Sequence, residues 1–594
     1  MRPTIRRTAL RGGALALVLA VLSLLSSGPA LAKPPYGAIT GSGSTWAYGV
    51  IGPWISYAQS NFGMQIAFKP NGSSQGRNDF AQNGVGVVDF ADSDIPYQGV
   101  DPTTGKQDTS SRPYAYLPVV AGGTAFTYHL TVAGHLVNNL RLSGETIAKI
   151  FTNKITNWAD PQITRDNGGH ALPAEPIRPV VRSDGSGSTA QFTLWMASQY
   201  PQIWGPYNGG KNQLTSIYPR QGNQSAVAQD AGVMSTVSSS SGEGDIGYTA
   251  YSYPEQAKYP VVYVENPAGY FVQPTAYNVA VALTKAHITG CNASGSCSPA
   301  GIKSTDYLTQ NLGDVYTYKD PRSYPISSYS YMIIPTSNSD HNMTPSKRQT
   351  LGDFLSYDLC GGQSLAIPYG YSPLPANLVK AAFGQVLRLG PKADGGAVSG
   401  VDITDQSSSP NCANPTFVKG HPGENGLANI APMPLPCQKV TSVPCGDGVV
   451  PPGTTATNPS GGKVPGGTTT GTTGGTTTAG PGGSTGTNPA AGGGPSGGTA
   501  GGPSGGNGST NPNAPGGSTV PGVDSPANAV PGVDGVGGGT TSASASGVVP
   551  TATSLPAQRA ADTKVWGWTS VLLALGVVML PGLYTAWLRR RKGI

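Results

Sequence analysis

From about Pro451 to Pro556 the chain is Gly, Thr, Pro, Ser, Ala and Asn with almost no aromatic side chains. No other feature limits the fold so strongly. A segment of this composition cannot bury enough apolar surface to offset the entropy of ordering its backbone. A packed domain therefore has to come from what precedes it. About 105 residues of Gly-rich coil have an r.m.s. reach near 60 Å, from roughly 5–6 Å × √n. The segment reads as a disordered stalk, residues 451–556, and it accounts for much of the high glycine count of 85.

The two ends assign the compartment. Arg2, Arg6, Arg7 and Arg11 precede an apolar run from Ala14 to Leu25, then Ala30-Leu31-Ala32. This pattern predicts a secretory signal peptide, residues 1–32, cleaved before Lys33. Trp566 to Trp587 is apolar and uncharged. About 22 residues at 1.5 Å each reach about 33 Å, enough for a bilayer. Trp566, Trp568, Tyr584 and Trp587 sit where an aromatic belt forms, and Arg589-Arg590-Arg591-Lys592 follows. The expectation is a transmembrane helix at 566–588 with a basic cytoplasmic tail at 589–594. The protein would be exported and anchored in the plasma membrane, its bulk outside.

Net charge is only +6, most of it in that tail. No basic stripe with interleaved aromatics is present, so nucleic acid is not an expected partner. Six cysteines in an exported chain favour disulfides. Cys291 and Cys297 are near enough for a local pair. The pairing of Cys360, Cys412, Cys437 and Cys445 stays open. There is no C-x-x-C and histidine is sparse and scattered, so neither a metal site nor a cofactor is expected.

Residues 37–390 alternate strand-like and helical runs, which predicts an α/β body large enough for two domains. Residues 391–450 form a Cys-containing extension. Trp46, Val50, Ile51, Trp54, Ile55 and Ala58 share one helical face, with a kink expected at Gly52-Pro53. Strands are expected at Gln65–Phe68 and Val85–Phe90, and a short helix at Gln75–Gln82. Phe192, Trp195 and Met196 mark the buried face of a later helix.

Three places repeat one pattern, a strand, a Gly/Ser/Thr cluster and a helix: TGSGSTW at 40–46, NGSSQG at 71–76 and RSDGSGST at 182–189. A helix start has unpaired N–H groups and a partial positive charge, and glycine lets an anion approach them. Each cluster alone is equally an ordinary N-cap. Arg182 adds a fixed cation to the third. DFADSDIP at 89–96 places Asp92 and Asp94 just after a strand, either as turn formers or as acceptors. A carboxylate beside an anion is favourable only when the anion carries a proton. Phosphate does at neutral pH and sulfate does not, so such an Asp would reject sulfate.

At these motifs the sequence resembles the phosphate-binding protein of the bacterial high-affinity phosphate ABC transporter, the PstS type. LSGETIAKIFTNKITNWADPQI at 142–163, GDIGYTAYSY at 244–253 and YGYSPLP at 369–375 extend the resemblance over about 37–390. It implies a two-lobed periplasmic-binding-protein (type II) fold. Lobe 1 would be about 37–123 and 325–390, and lobe 2 about 124–324. Two hinge crossovers would lie near Gly122-Gly123 and Pro325. The implied phosphate ligands are Thr45, Trp46, Ser73, Asp94, Arg182, Ser186, Gly187 and Ser188, with Asp184 orienting Arg182. Ser188 stands where the family has Thr, and keeps the hydroxyl. Trp46 stands where Phe is usual and is expected to reshape the rim.

The expected function is membrane-tethered capture of inorganic phosphate for a phosphate ABC permease, without catalysis. Two other classes stay open: a surface-displayed phosphate sensor or adhesion protein, and a secreted phosphoesterase. The last has little support, because there is no G-x-S-x-G elbow or H-E-x-x-H helix and none of the six histidines lies in a candidate motif.

Overall fold

The computed structural model describes residues 36–81, 88–101, 104–292, 294–391, 412 and 414–446. The expected signal peptide, the stalk, the membrane span, the basic tail and most of 391–411 lie outside the described residues. Among the described residues no helix is long and apolar enough to cross a membrane.

The first motif folds as β1 (Ile39–Gly43) and α1 (Thr45–Phe62). Ser44 caps α1 by accepting the Ala47 N–H, and Gly63 ends it in the left-handed conformation. The six apolar residues of the expected face are all buried. The helix runs on through Pro53 without a break in assignment. β2 (Ile66–Lys69) leads into α2 (Ser73–Ala81).

β3 is Phe90–Ser93, so the described part of the strand expected at Val85–Phe90 agrees only at Phe90, and residues 85–87 lie outside the described residues. Val88 and Asp89 are not strand. Asp89 instead takes the Thr40 N–H on its side chain and an ion pair from Lys347. The strand is buried along its length and carries one acid, Asp92, which burial disfavours and the Ser330 hydroxyl partners.

β4 (Tyr114–Tyr128) is fifteen residues long and buried throughout, so it reaches about 50 Å. Next come β5 (Arg178–Arg182), α3 (Gly187–Gln199), β6 (Ser225–Val227), α4 (Gln229–Val237) and β7 (Asp245–Ala250). β8 (Ser327–Pro335) and α5 (Pro345–Leu359) follow. One sheet holds all eight strands in the order β6-β5-β7-β4-β8-β3-β1-β2. β1 is parallel to β2 and β3, and β5 is parallel to β6 and β7. The long pair β4 and β8 is antiparallel and joins the two parallel halves. The result is a two-lobed α/β fold whose lobes share the central pair. Ligands of open α/β sheets bind beyond the carboxyl ends of parallel strands, where the order reverses. Here those ends are the Gly/Ser loops after β1 and β5.

Five tryptophans, Trp46, Trp54, Trp158, Trp195 and Trp204, are among the largest fully buried side chains. Three disulfides form: Cys291–Cys297, Cys360–Cys412 and Cys437–Cys445. The extension is anchored on both lobes. On lobe 1, Cys412 is bonded to Cys360, and Asn414 and Thr416 donate to the Leu374 carbonyl at 2.9 and 2.6 Å. On lobe 2, Arg141 donates to the Ser442 carbonyl at 2.8 Å and Asn139 to that of Cys445 at 2.9 Å.

Candidate functional site

Arg182 ends β5 and is 1 % exposed. Its five N–H bonds all have acceptors. Nε and Nη2 form a fork on Asp184 at 2.7 and 2.5 Å. Nη2 also donates to Thr45 Oγ1 at 2.9 Å, and Nη1 donates to Asp230 at 2.5 Å and Ser188 Oγ at 3.2 Å. Burial alone would lower the guanidinium's pKa. Asp230 and Asp184 outweigh it and hold the charge above its usual range. Asp184 in turn, though burial opposes it, is held below the usual carboxylate range by its bonds to Arg182.

Thr45 opens α1 in lobe 1, so its contact with Arg182 crosses between lobes. Ser186 caps α3 by accepting the Thr189 N–H at 3.2 Å and shares a 2.7 Å bond with Ser188. This puts a helix start beside the guanidinium, the arrangement that suits an oxyanion.

Facing this wall is Asp94, 2 % exposed. Ser44 and Ser73 donate to it at 2.8 and 3.0 Å, and the single Ser330 hydroxyl lies 2.7 Å from both Asp94 and Asp92. Burial raises its pKa to about 6, against the Ser330 and Ser44 hydrogen bonds. Asp92 is also raised, well above the ordinary carboxylate range, first by burial and then by Asp94. Gln191 of α3 reaches across and donates to the Asp94 backbone carbonyl at 2.8 Å.

The glycines set how closely these walls meet. A Cβ on Gly187 would run into Asp94 and the Ser73 hydroxyl, and one on Gly185 into Ser74. Gly72 has φ +98 and faces Gly185 and Asp184. The NGSSQG and RSDGSGST loops thus touch directly, and the Ser74 N–H donates to the Gly185 carbonyl at 3.1 Å.

Seven of the eight expected ligands, with Asp184, gather here, and the eighth, Trp46, follows Thr45 at the start of α1, where its part in the resemblance is a backbone N–H. Its indole is 1 % exposed and stands edge-on to Tyr371 at 5.7 Å, against Gly122. Its ring belongs to the core beneath the loop, which corrects the expectation that it shapes the rim.

A family model for the PBP superfamily domain matches residues 28–360. The chain belongs to this superfamily. Its likeness is to the PstS type. It is 28% identical over 360 residues to the phosphate-binding protein PstS of Methanocaldococcus jannaschii, covering 60% of this chain and 87% of that one. The PstS of Pasteurella multocida is 27% identical over 343 residues, covering 58% and 88%. A crystal structure of the phosphate binding protein from Stenotrophomonas maltophilia aligns at 16% identity and TM-score 0.42, covering 59% of this chain and 93% of that one.

Sequence reasoning missed four side chains of this cluster: Ser44, Asp230, Gln191 and Ser330. Ser44 was visible inside TGSGSTW and was read only as part of a cluster. Asp230 follows Gln229, whose φ of +66 turns the chain sharply into α4. Nothing in SAVAQDAGV marks that turn. Ser330 is one of several alternating serines in a strand.

Proposed function

We propose that this protein is an extracellular solute-binding protein that captures inorganic phosphate and hands it to an ABC permease. One observation carries the reading. A buried, fully paired arginine at a helix start faces a buried aspartate across the two lobes, with hydroxyls on both sides. Arg182 with Thr45, Ser186, Gly187 and Ser188 would hold phosphate oxygens, Ser73 would add a hydroxyl, and the Trp46 backbone would donate. Asp94 would accept from a protonated oxygen and Asp184 would orient the arginine. Residues 1–32 would direct export, and 566–588 would anchor the chain with the stalk between anchor and domain.

Hydrolysis is not supported by the neighbours of Ser186. Its hydroxyl is engaged with Thr189 N–H and Ser188, and no histidine is among its hydrogen-bond partners. The test is calorimetric titration of residues 33–446 with phosphate and with sulfate, after removal of bound ligand by unfolding and refolding. One-to-one phosphate binding with sulfate silent is expected. A folded, ligand-free protein that ignores phosphate would overturn the reading.

A further inference from the structure

Asp230 is fully buried and has no part in the proposed ligand set. Its two oxygens have separate duties. Oδ1 is fixed within lobe 2, accepting the Thr249 hydroxyl at 2.9 Å and the Ala250 N–H at 2.8 Å. Oδ2 accepts from Arg182 Nη1 and from the Thr45 hydroxyl, both at 2.5 Å. All four partners donate, so the group acts as an acceptor only. Asp184 already holds the Nε–Nη2 edge of the guanidinium. Asp230 and Thr45 therefore occupy the Nη1–Nη2 edge, where an oxyanion gripped in a fork has to take over or share their contacts.

Two consequences follow from the count of charges and protons. One arginine with two carboxylates carries a formal charge of −1 before any ligand arrives, so a second negative charge on the ligand is penalised. Thr45 has one proton, and it is spent on Asp230. When Thr45 turns that proton to a phosphate oxygen, Asp230 Oδ2 keeps Arg182 Nη1 as a donor and turns a freed lone pair toward the ligand. A second P–OH donates to it. The dianion has one P–OH, which Asp94 takes, and it would then set a bare oxygen against Asp230. The monoanion has two, one for each aspartate.

We infer that Asp230 is a specificity-determining acceptor that makes this site select the singly charged, twice-protonated form of phosphate. The inference rests on the phosphate reading above. The other ionisable groups around Asp230 are Arg182 and Asp184 of lobe 2, Asp94 with its neighbour Asp92 from lobe 1, and the phenols of Tyr253 and Tyr371. Both phenols are pushed up by burial and then by Asp230 or its neighbours, so they stay protonated across the range used below.

The experiment is phosphate titration by calorimetry at pH 8 in two buffers of different ionisation enthalpy, which counts protons taken up on binding. Free inorganic phosphate is then mostly the dianion. The wild-type protein is expected to take up about one proton per phosphate and Asp230→Asn close to none, while the variant binds about tenfold more tightly at that pH. Equal uptake by both proteins would put the proton on Asp94 or elsewhere and overturn the inference. No uptake by the wild type would overturn it without any variant, so a misfolded Asp230→Asn leaves the test intact. Absence of any phosphate binding by the wild type would sink the phosphate reading, and this inference with it.

Discussion

Arg182 and Arg348 are the same residue in nearly the same degree of burial, 1 % and 2 % exposed. Their partners differ. Arg348, in α5, spends its guanidinium on backbone carbonyls: Met343 at 3.0 Å, Ser337 at 2.8 Å, and Leu389. All three lie in lobe 1. Burial lowers its pKa, with Asp340 opposing and Arg112 assisting. Arg182 meets carboxylates and hydroxyls, and one hydroxyl comes from the other lobe. Burial of a charge therefore does not mark a ligand site. A staple ends on groups that cannot leave. A cation proposed to bind a ligand ends on hydroxyls that can turn, with one of them from the other lobe.

The sharpest test of this contrast is Arg182→Ala. Phosphate affinity should fall on the order of a thousandfold, read by calorimetry. The melting temperature should fall too, because Asp184 and Asp230 lose their countercharge. Arg348→Ala should share the loss of stability without the loss of affinity. Stability should drop by about 2–4 kcal/mol in denaturant titration while the folded fraction binds phosphate as before. A large loss of affinity there would break the distinction between staple and site.

Gly187→Ala probes the seam. The added methyl meets Asp94 and Ser73. Overpacking of about 1–3 kcal/mol should weaken phosphate binding roughly tenfold to a hundredfold, with little change in the melt of the ligand-free protein. Asp94→Asn should leave phosphate binding weaker and sulfate binding newly measurable by the same titration, since an amide can donate to a bare oxygen. Sulfate exclusion equal to wild type would remove Asp94 from the selectivity role.

The smallest effect is on pH dependence. Asp94 has a pKa of about 6 against an ordinary value of 3.8, so the folded protein holds this proton more tightly than the unfolded chain. The resulting stabilisation is present below the ordinary value and is lost as pH rises through about 6. Asp92 is shifted in the same direction. Ligand-free protein should melt higher at pH 5 than at pH 7, and Asp94→Asn should flatten that slope.

How much of this was legible in the chain follows the same division. The Gly/Ser loops were readable because close backbone approach demands glycine, and Arg182 with Asp184 because they sit two residues apart. The α1 face was readable from helical spacing. Asp230 was not, because its role depends on a turn at Gln229 and on a strand, β5, nearly fifty residues earlier. Ser330 reaches Asp94 across 236 residues, and no local pattern encodes such a pairing. The strand at Phe90–Ser93 was placed too early because its acids looked like turn formers. Tertiary partners, not propensity, keep Asp92 and Asp94 at the buried end of a strand.

The extension from Cys412 to Cys445 adds a mechanical point. Two strands passing between lobes define a rotation axis. A further connection that grips Leu374 on one side and Arg141 on the other lies off that pair in sequence and in attachment. Three links constrain a joint more than two. They remove twisting freedom and leave a narrower path of motion, because the stretch between Thr416 and Ser442 is itself held, with Arg322 donating to the Ala428 and Ala431 carbonyls and Leu427 fully buried.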